Sequence, residues 1–156
     1  MLYRRHALLG SFALVSACVT STEGPSTVSQ AEPGTVPLPD TIQLNMAPAN
    51  PSLPSELAAF VGKWGGKWNG TLASNLYVES IEQDGAVKGV YVWDTAPNFR
   101  PTRGASRFKG TIAKGILSWG TATKFEFLVR PDGKLQGSRS YDGFAGNTII
   151  MTRMAS

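Results

Sequence analysis

Few side chains in this sequence are of the types that most often carry catalysis or bind metals. The one histidine, His6, and the one cysteine, Cys18, both lie near the start of the chain. If that segment is removed as a leader, no histidine is left, which excludes Ser-His-Asp and Cys-His catalysis and zinc sites built on histidine or cysteine. A single cysteine also excludes a disulfide within the chain. We therefore expect no metal, no cofactor and a domain stabilised by its packed core.

Carboxylates are the remaining groups for acid–base chemistry. Glycoside hydrolysis, for example, needs two carboxyl groups about 5–9 Å apart in a cleft. The available carboxylates are Glu79, Glu82, Asp94, Glu126 and Asp142. Most of them fall at turns or on the outward side of strand-like segments, where solvated surface is the simpler interpretation. The sequence therefore predicts a protein that is not an enzyme.

The first residues have the pattern of an export signal. Arg4 and Arg5 precede a short apolar run over residues 7–15, well below the roughly 20 residues that span a bilayer. A Val-Ser-Ala-Cys sequence then ends at Cys18, and small residues before a cleavage point suit a signal peptidase. This ending resembles the lipobox of bacterial lipoproteins, whose cysteine is joined to diacylglycerol. The resemblance implies a signal peptide over residues 1–17 and acyl chains on Cys18, each buried methylene adding roughly 0.8 kcal/mol of membrane binding.

The residue after the cysteine bears on the destination. Val19 stands where an inner-membrane retention signal would place aspartate. By resemblance to the sorting of Gram-negative lipoproteins, we expect lipid anchoring in the bacterial cell envelope, on the outer membrane and facing the periplasm. The alternative is an ordinary signal peptide with an accidental cysteine, and both the general and the twin-arginine export routes stay open.

Composition divides the rest of the chain in two. Residues 18–52 are rich in Pro, Ser, Thr and Ala, and contain no Lys, Arg or aromatic residue. Such a segment cannot bury enough apolar surface to offset its ordering entropy. It is therefore predicted to be a flexible, disordered tether that spans roughly 30–35 Å as a coil. Residues 53–156 are predicted to form one small domain that opens with a short helical turn, for which Ser55 is the N-cap.

From Gly62 onward the chain alternates like β-strands and is interrupted by turn residues such as Asp84-Gly85 and Pro131-Asp132-Gly133. The predicted strands are Lys63–Ala73, Leu76–Glu82, Ala86–Trp93, Ser106–Ala113, Ile116–Thr121, Thr123–Arg130, Lys134–Ser140 and Asn147–Met154. Eight strands joined mostly by short turns indicate an antiparallel barrel or sandwich. An eight-stranded up-and-down barrel has no exposed edges, and its interior is either filled or holds one small ligand.

The first strands of this domain resemble the avidin and streptavidin family. The residues that carry the resemblance are Gly66, Lys67, Trp68, Leu72, Ser74, Asn75, Leu76, Val78, Gly85, Val87, Gly89 and Tyr91. The final run from Ile149 to Met154 is similar to that family's last strand. The resemblance implies a calycin-type barrel in which Trp68 stacks with Arg153 and closes one end by a cation–π contact.

The same resemblance implies a ligand site of altered design. In that family a serine and a tyrosine bind the carbonyl oxygen of biotin with the help of an asparagine, and Ser74 and Tyr91 stand at the first two positions. Gly70 stands at the asparagine position, and Trp93 replaces a threonine and would fill part of the pocket. The resemblance therefore implies a small-molecule site that is not a biotin site.

Large rings are numerous for a domain of this size. The side chains predicted to line a cup inside the barrel are Tyr91, Trp93, Trp119 and Phe125, with Ser74 and Arg139 as polar contacts, and Tyr141 as a possible further wall. Apolar walls with a few placed polar groups make a small-molecule site. The alternative is that the rings fill the core and that two of the predicted side chains, Ser74 and Tyr91, only hydrogen-bond to each other.

A basic stretch supports a second function. Its members are Arg100, Arg103, Arg107 and Lys109. They form either a solvated strand face or a surface for anions such as lipid head groups or envelope polysaccharide; nucleic acid is not expected outside the cytoplasm. Two functions therefore stand open: a membrane-anchored lipoprotein whose barrel binds a small apolar or amphipathic ligand, or a non-catalytic, inhibitor-like module that binds a protein or envelope polymer. The sequence leaves the oligomeric state open.

Overall fold

The computed structural model describes residues 35–48, 50–95, 102–141 and 144–155. The predicted signal peptide, Cys18 and Arg100 lie outside these ranges. Within them, no helix is long and apolar enough to cross a bilayer.

Eight antiparallel strands in chain order form a closed barrel, which confirms the predicted fold class. A short helix, α1 (Ser55–Ala58), precedes them. The strands are β1 (Gly62–Trp68), β2 (Leu72–Ile81), β3 (Ala86–Trp93), β4 (Gly104–Ala113), β5 (Ile116–Trp119), β6 (Thr123–Val129), β7 (Leu135–Tyr141) and β8 (Phe144–Arg153). The barrel closes where β1 pairs with β8, with Trp64 opposite Arg153 and Gly66 opposite Met151.

The first hairpin differs from its prediction. The sequence predicts the break between the first two strands near Ser74, whereas β1 ends at Trp68 and β2 begins at Leu72. Asn69 and Gly70 have φ values of 46° and 74°, the left-handed conformation that an Asn-Gly hairpin turn uses. As a result Ser74 lies within β2, directly opposite Trp93 of β3.

The two ends of the barrel differ in how they are covered. The lower end, where β1 begins and β8 ends, is covered by α1 and by Phe60, which is 1% exposed. Trp64 Nε1 donates a hydrogen bond of 2.9 Å to the carbonyl oxygen of Phe60. We call the opposite end, where β1 ends and β2 begins, the upper end.

The predicted stacking of Arg153 on Trp68 is wrong. The Arg153 guanidinium lies 4.2 Å from the ring centroid of Trp64 and donates hydrogen bonds to the carbonyl oxygens of Ala59 and Val61. The reason is register, since Trp64 rather than Trp68 is the residue of β1 that pairs with Arg153. Trp64 and Trp68 lie on the same face of β1, four residues apart. The contact of Arg153 with Trp64 therefore closes the barrel at the lower end, and Trp68 lies at the upper end.

The tether prediction is also wrong for residues 35–47, which we call the strap. They lie along the outer face of β2 and β3, where Val36 packs with Tyr77, Val90 and Val92 in a second apolar cluster. Asn75 binds Val36 at both ends of its amide: Nδ2 donates to the Val36 carbonyl at 2.7 Å, and Oδ1 accepts from the Val36 N–H at 3.3 Å. The strap is ordered because this part of the barrel is apolar on its outer face as well as its inner one.

A buried carboxylate holds the other end of the strap. Glu79 is 4% exposed; its Oε1 accepts the Asn45 N–H at 2.6 Å, and its backbone carbonyl accepts the Ala47 N–H at 2.8 Å. Glu79 Oε2 forms an ion pair of 2.7 Å with Arg107, whose guanidinium also donates to the carbonyl oxygen of Gln43. The strap is therefore fixed at two points along β2.

Candidate ligand site at the upper end of the barrel

The structure brings together the six side chains that the sequence predicts for a ligand site. They are Ser74, Tyr91, Trp93, Trp119, Phe125 and Arg139. Tyr91 lies at the centre, with ring centroids 5.8 Å from Trp93, 6.1 Å from Trp119 and 5.1 Å from Phe125. Because these rings come from β3, β5 and β6, closure of the barrel is what gathers them.

A chain of buried hydrogen bonds fixes the Tyr91 hydroxyl. Trp68 Nε1 donates to this oxygen at 2.7 Å, and the hydroxyl donates to Ser74 Oγ at 3.0 Å. Burial raises the pKa of Tyr91 above its ordinary value of 10.0, and the hydrogen bonds with Ser74 and Trp68 and the charge of Arg139 offset part of that rise. The phenol is therefore neutral at physiological pH, and it orients its neighbours rather than exchanging protons.

Arg139 supplies a positive charge among these rings. Its guanidinium carbon lies 5.0 Å from the ring centroid of Trp68 and 5.7 Å from that of Tyr141. Within the described part of the chain, Arg139 forms no ion pair. In the amide orientation that satisfies both contacts, the side-chain oxygen of Asn147 accepts from Arg139 Nε at 3.1 Å and from Nη2 at 2.7 Å. The Nη1 donors are not part of this contact, so that Arg139 can receive an anionic group on that edge of its guanidinium.

The predicted open cup is wrong, because the barrel is filled below Tyr91. Ser74 is 0% exposed, Tyr91 4% and Trp119 9%. The Trp119 ring stacks on Phe108 at 4.2 Å and on Phe127 at 5.3 Å. Ser74 and Trp119 therefore form a floor under the site instead of contacting a ligand. This arrangement agrees with the alternative prediction that the rings fill the core.

Two glycines explain how so many rings fit. A Cβ built on Gly89 would collide with the ring of Phe108, and one built on Gly137 would collide with the ring of Phe127. Each pair lies directly opposite across neighbouring strands. The missing side chains leave the space that the two rings occupy.

The accessible part of the site is its rim, which consists of Trp93, Phe125, Arg139 and Tyr141. The first three are partly buried, and Tyr141 is 44% exposed. Trp93 stacks on Tyr91 at an interplanar angle of 26°, and its Nε1 donates to the carbonyl oxygen of Thr102 at 3.0 Å. The rim thus offers aromatic faces beside one cation, a surface that suits a flat amphipathic molecule.

The described carboxylates do not converge on this site. Glu79 lies under the strap on the outer face, while Glu126 pairs with Lys124 and Asp94 with Arg103, each at 2.8 Å. Asp142 lies outside the described ranges. Within those ranges, no group of three or more histidine, cysteine, aspartate or glutamate side chains could hold a metal ion.

The predicted basic surface is largely committed to other contacts. Of its described members, Arg103 pairs with Asp94 at the upper end, and Arg107 pairs with Glu79 beneath the strap. Lys109 lies opposite Lys88 on the outer face. The structure therefore does not present these residues as one free cationic patch.

Two features of this site are not predicted from the sequence. Trp68, which the resemblance places at the barrel closure, donates instead to Tyr91; its even spacing from Ser74 is the pattern that indicates one common face. Phe108 and Phe127 fill the space beneath the rings. Phe127 follows Glu126 and alternates with charged residues on β6, a pattern that indicates its inward direction but not its depth.

No family model matches this chain, and no curated protein matches it. Among solved structures, the chain is similar to apo shwanavidin in its P21 crystal form, with 14% sequence identity, 62% of this chain and 98% of that chain covered, and a TM-score of 0.44. This likeness is a partial one, and the barrel fold stands on the strand order and pairing described above.

Proposed function

We propose that this chain is a lipoprotein of the bacterial cell envelope, held at the outer membrane by lipid on Cys18, and that the rim of its barrel binds a small, flat, amphipathic molecule with an acidic group. The observation that carries this proposal is Arg139, a cation with no ion pair in the described part of the chain, set on aromatic faces at an accessible barrel end.

The shape of the site sets the size and form of the ligand. Because the barrel is filled from Tyr91 downward, a ligand rests on the rim and does not enter the interior. Trp93 and Phe125 provide apolar contact, and stacking on such rings favours a planar group. A molecule the size of one or two fused rings would cover them.

The charge of the site sets the polar part of the ligand. Guanidinium groups bind carboxylate and phosphate in a bidentate geometry. Trp68 and Tyr141 shield Arg139 from part of the solvent. In such surroundings one hydrogen bond between Arg139 and an acidic group contributes about 1.5–3 kcal/mol to binding. An acidic aromatic compound should therefore bind more tightly than its neutral counterpart.

Naphthoate and neutral naphthalenemethanol test this site directly. Binding to the chain that lacks residues 1–18 is followed by tryptophan fluorescence and by calorimetry. Naphthoate should bind more tightly, and Arg139→Gln should weaken it by about 10- to 100-fold while hardly affecting the alcohol. Lys67→Gln, the same charge change on the exposed outer face of β1, is the matched control and should have little effect.

Failure would take a definite form. Equal affinities for the two compounds, or naphthoate binding that is indifferent to Arg139→Gln, would remove the rim site. The anchor is tested separately by incorporation of labelled palmitate in a bacterial host, which Cys18→Ser should abolish; incorporation that persists in that variant would remove the lipid anchor from the proposal.

A further inference from the structure

The strap determines where the anchored segment joins the barrel. Asn75, which binds Val36 from both sides, lies near the start of β2, whereas Glu79, which binds Asn45, lies near its end. The strap therefore runs from the upper end toward the lower end. Thr35, the first described residue of the strap, therefore lies toward the end that carries the rim.

The remaining tether is short compared with the barrel. Residues 19–34 separate Cys18 from the strap, and from their number and their composition the sequence predicts a root-mean-square span of about 22 Å. β2 alone has ten residues, which extend over about 33 Å. A barrel held by its upper end on such a tether keeps that end closer to the bilayer than its lower end.

The side chains of the two ends fit this orientation. The upper end carries Trp93 and Tyr141, whose amphipathic rings favour the depth of lipid headgroups. Arg139 lies beside them, and a basic side chain near an anionic membrane contributes about 1 kcal/mol, whereas the charge of Arg103 is paired with Asp94. The partial exposure of the rings, with Tyr141 at 44%, leaves them free to make this contact.

The lower end has no exposed tryptophan or tyrosine among its described residues, and its charges are mixed. Glu56 and Asp84 are exposed there, but so is Lys114, and Asp132 pairs with Arg130 and Lys134 in the β6–β7 turn. The two ends therefore differ in their aromatic rings and not in the sign of their charge.

From these observations we infer that the upper end docks on the headgroups of the bilayer that holds Cys18, with Trp93 and Tyr141 at headgroup depth. The inference rests on the proposed lipid anchor and deepens the proposed site: its acidic amphipathic ligand reaches the rim from the lipid interface.

Cys18 makes the test possible, since it is the one cysteine of the chain. The chain from Cys18 onward is coupled to a maleimide-bearing phospholipid in vesicles of phosphatidylethanolamine and phosphatidylglycerol, part of whose acyl chains are brominated. Bromine quenches tryptophan only when the ring lies at the membrane. The contribution of Trp93 is the quenching that Trp93→Phe removes, and Glu56→Trp in that same background reports on the lower end.

Quenching of Trp93 should exceed that of the Glu56→Trp reporter several-fold. Asn75→Ala, which frees the first part of the strap and lengthens the tether, should reduce the quenching of Trp93; circular dichroism confirms that each variant keeps its fold. Equal quenching at the two ends, or none at Trp93, would overturn the docking. Naphthoate binding by the uncoupled chain separates the two proposals. If the docking is overturned but the uncoupled chain still binds naphthoate, the ligand site is unaffected.

Discussion

The Tyr91 hydroxyl links β3 to both β1 and β2 through two buried hydrogen bonds, one with Trp68 and one with Ser74. Tyr91→Phe removes this one oxygen and keeps the ring, so that the contacts with Trp93, Trp119 and Phe125 persist. It leaves the Trp68 indole N–H without its acceptor and Ser74 Oγ without its donor. The change therefore isolates the polar part of the interaction from the packing.

The expected loss of stability follows from these contacts. Two buried hydrogen bonds contribute about 1 kcal/mol each, and a buried indole N–H left without an acceptor adds about 1–2 kcal/mol more. The sum is about 3–4 kcal/mol, against a typical total stability of about 5–15 kcal/mol. For a domain of this size it corresponds to a melting temperature lower by about 10–15 °C.

Urea unfolding, followed by tryptophan fluorescence and by circular dichroism, measures this loss. Ser74→Ala is the companion variant and should cost only about 1–2 kcal/mol, because Tyr91 still accepts from Trp68. The double variant should be more stable than the sum of the two losses implies, by about 1 kcal/mol, because one hydrogen bond is lost in both single variants. A Tyr91→Phe loss below about 0.5 kcal/mol, or strict additivity, would refute the role assigned to this hydroxyl.

Three further outcomes are expected. Arg153→Met removes a cation–π contact and two hydrogen bonds to carbonyl oxygens and should cost about 2 kcal/mol in urea unfolding; no loss would contradict its closing role. Glu79→Gln should speed amide hydrogen exchange at Asn45 but not at Val36, since Asn75 holds the latter; equal acceleration would show that the strap detaches as a unit. Because burial raises the pKa of Tyr91, its neutral form stabilises the fold up to about pH 10, and this stabilisation is lost as the pH rises through the higher folded value. Wild type should therefore lose more stability between pH 9 and pH 11 than Tyr91→Phe, and parallel curves would contradict this.

Much of the barrel could be predicted because its information is local. Alternation gave the inward residues, and turn residues separated the strands, since side chains on a strand point to opposite faces at every second position. The parity of Ser74, Tyr91 and Trp93 was enough to bring them to one site once the barrel closed. Where two turn signals competed, as at Asn69 and Ser74, the choice needed the backbone conformation.

Contacts between distant strands could not be predicted in the same way. Gly-Lys-Trp occurs twice in β1, at Gly62–Trp64 and at Gly66–Trp68, and both tryptophans face inward. Which of them meets Arg153 depends on the register of β8 against β1, and a local pattern does not set that register. For the same reason alternation could not show that Phe108 and Phe127 fill the space below Tyr91.

The strap was missed because its composition is that of a coil. Its apolar residues, such as Val36 and Leu44, are too few for a core of their own, and they are ordered by the outward-facing Val90 and Val92. Val90 and Val92 are exceptions to the usual pattern, in which the outer face of a barrel strand is polar. An apolar outer face on a barrel strand was the available signal that another segment covers it.

The pairing of Phe108 with Gly89 and of Phe127 with Gly137 makes this barrel suitable for creating an internal void. Replacement of either phenylalanine by alanine would remove a ring that lies over the bare backbone of a glycine on one side and against Trp119 on the other. The volume of the cavity that remains is then set by how far Trp119 moves. The resulting space would be dry and apolar, of the kind that admits xenon or benzene. A protein whose interior is full could in this way be given a buried guest while its strands keep their register.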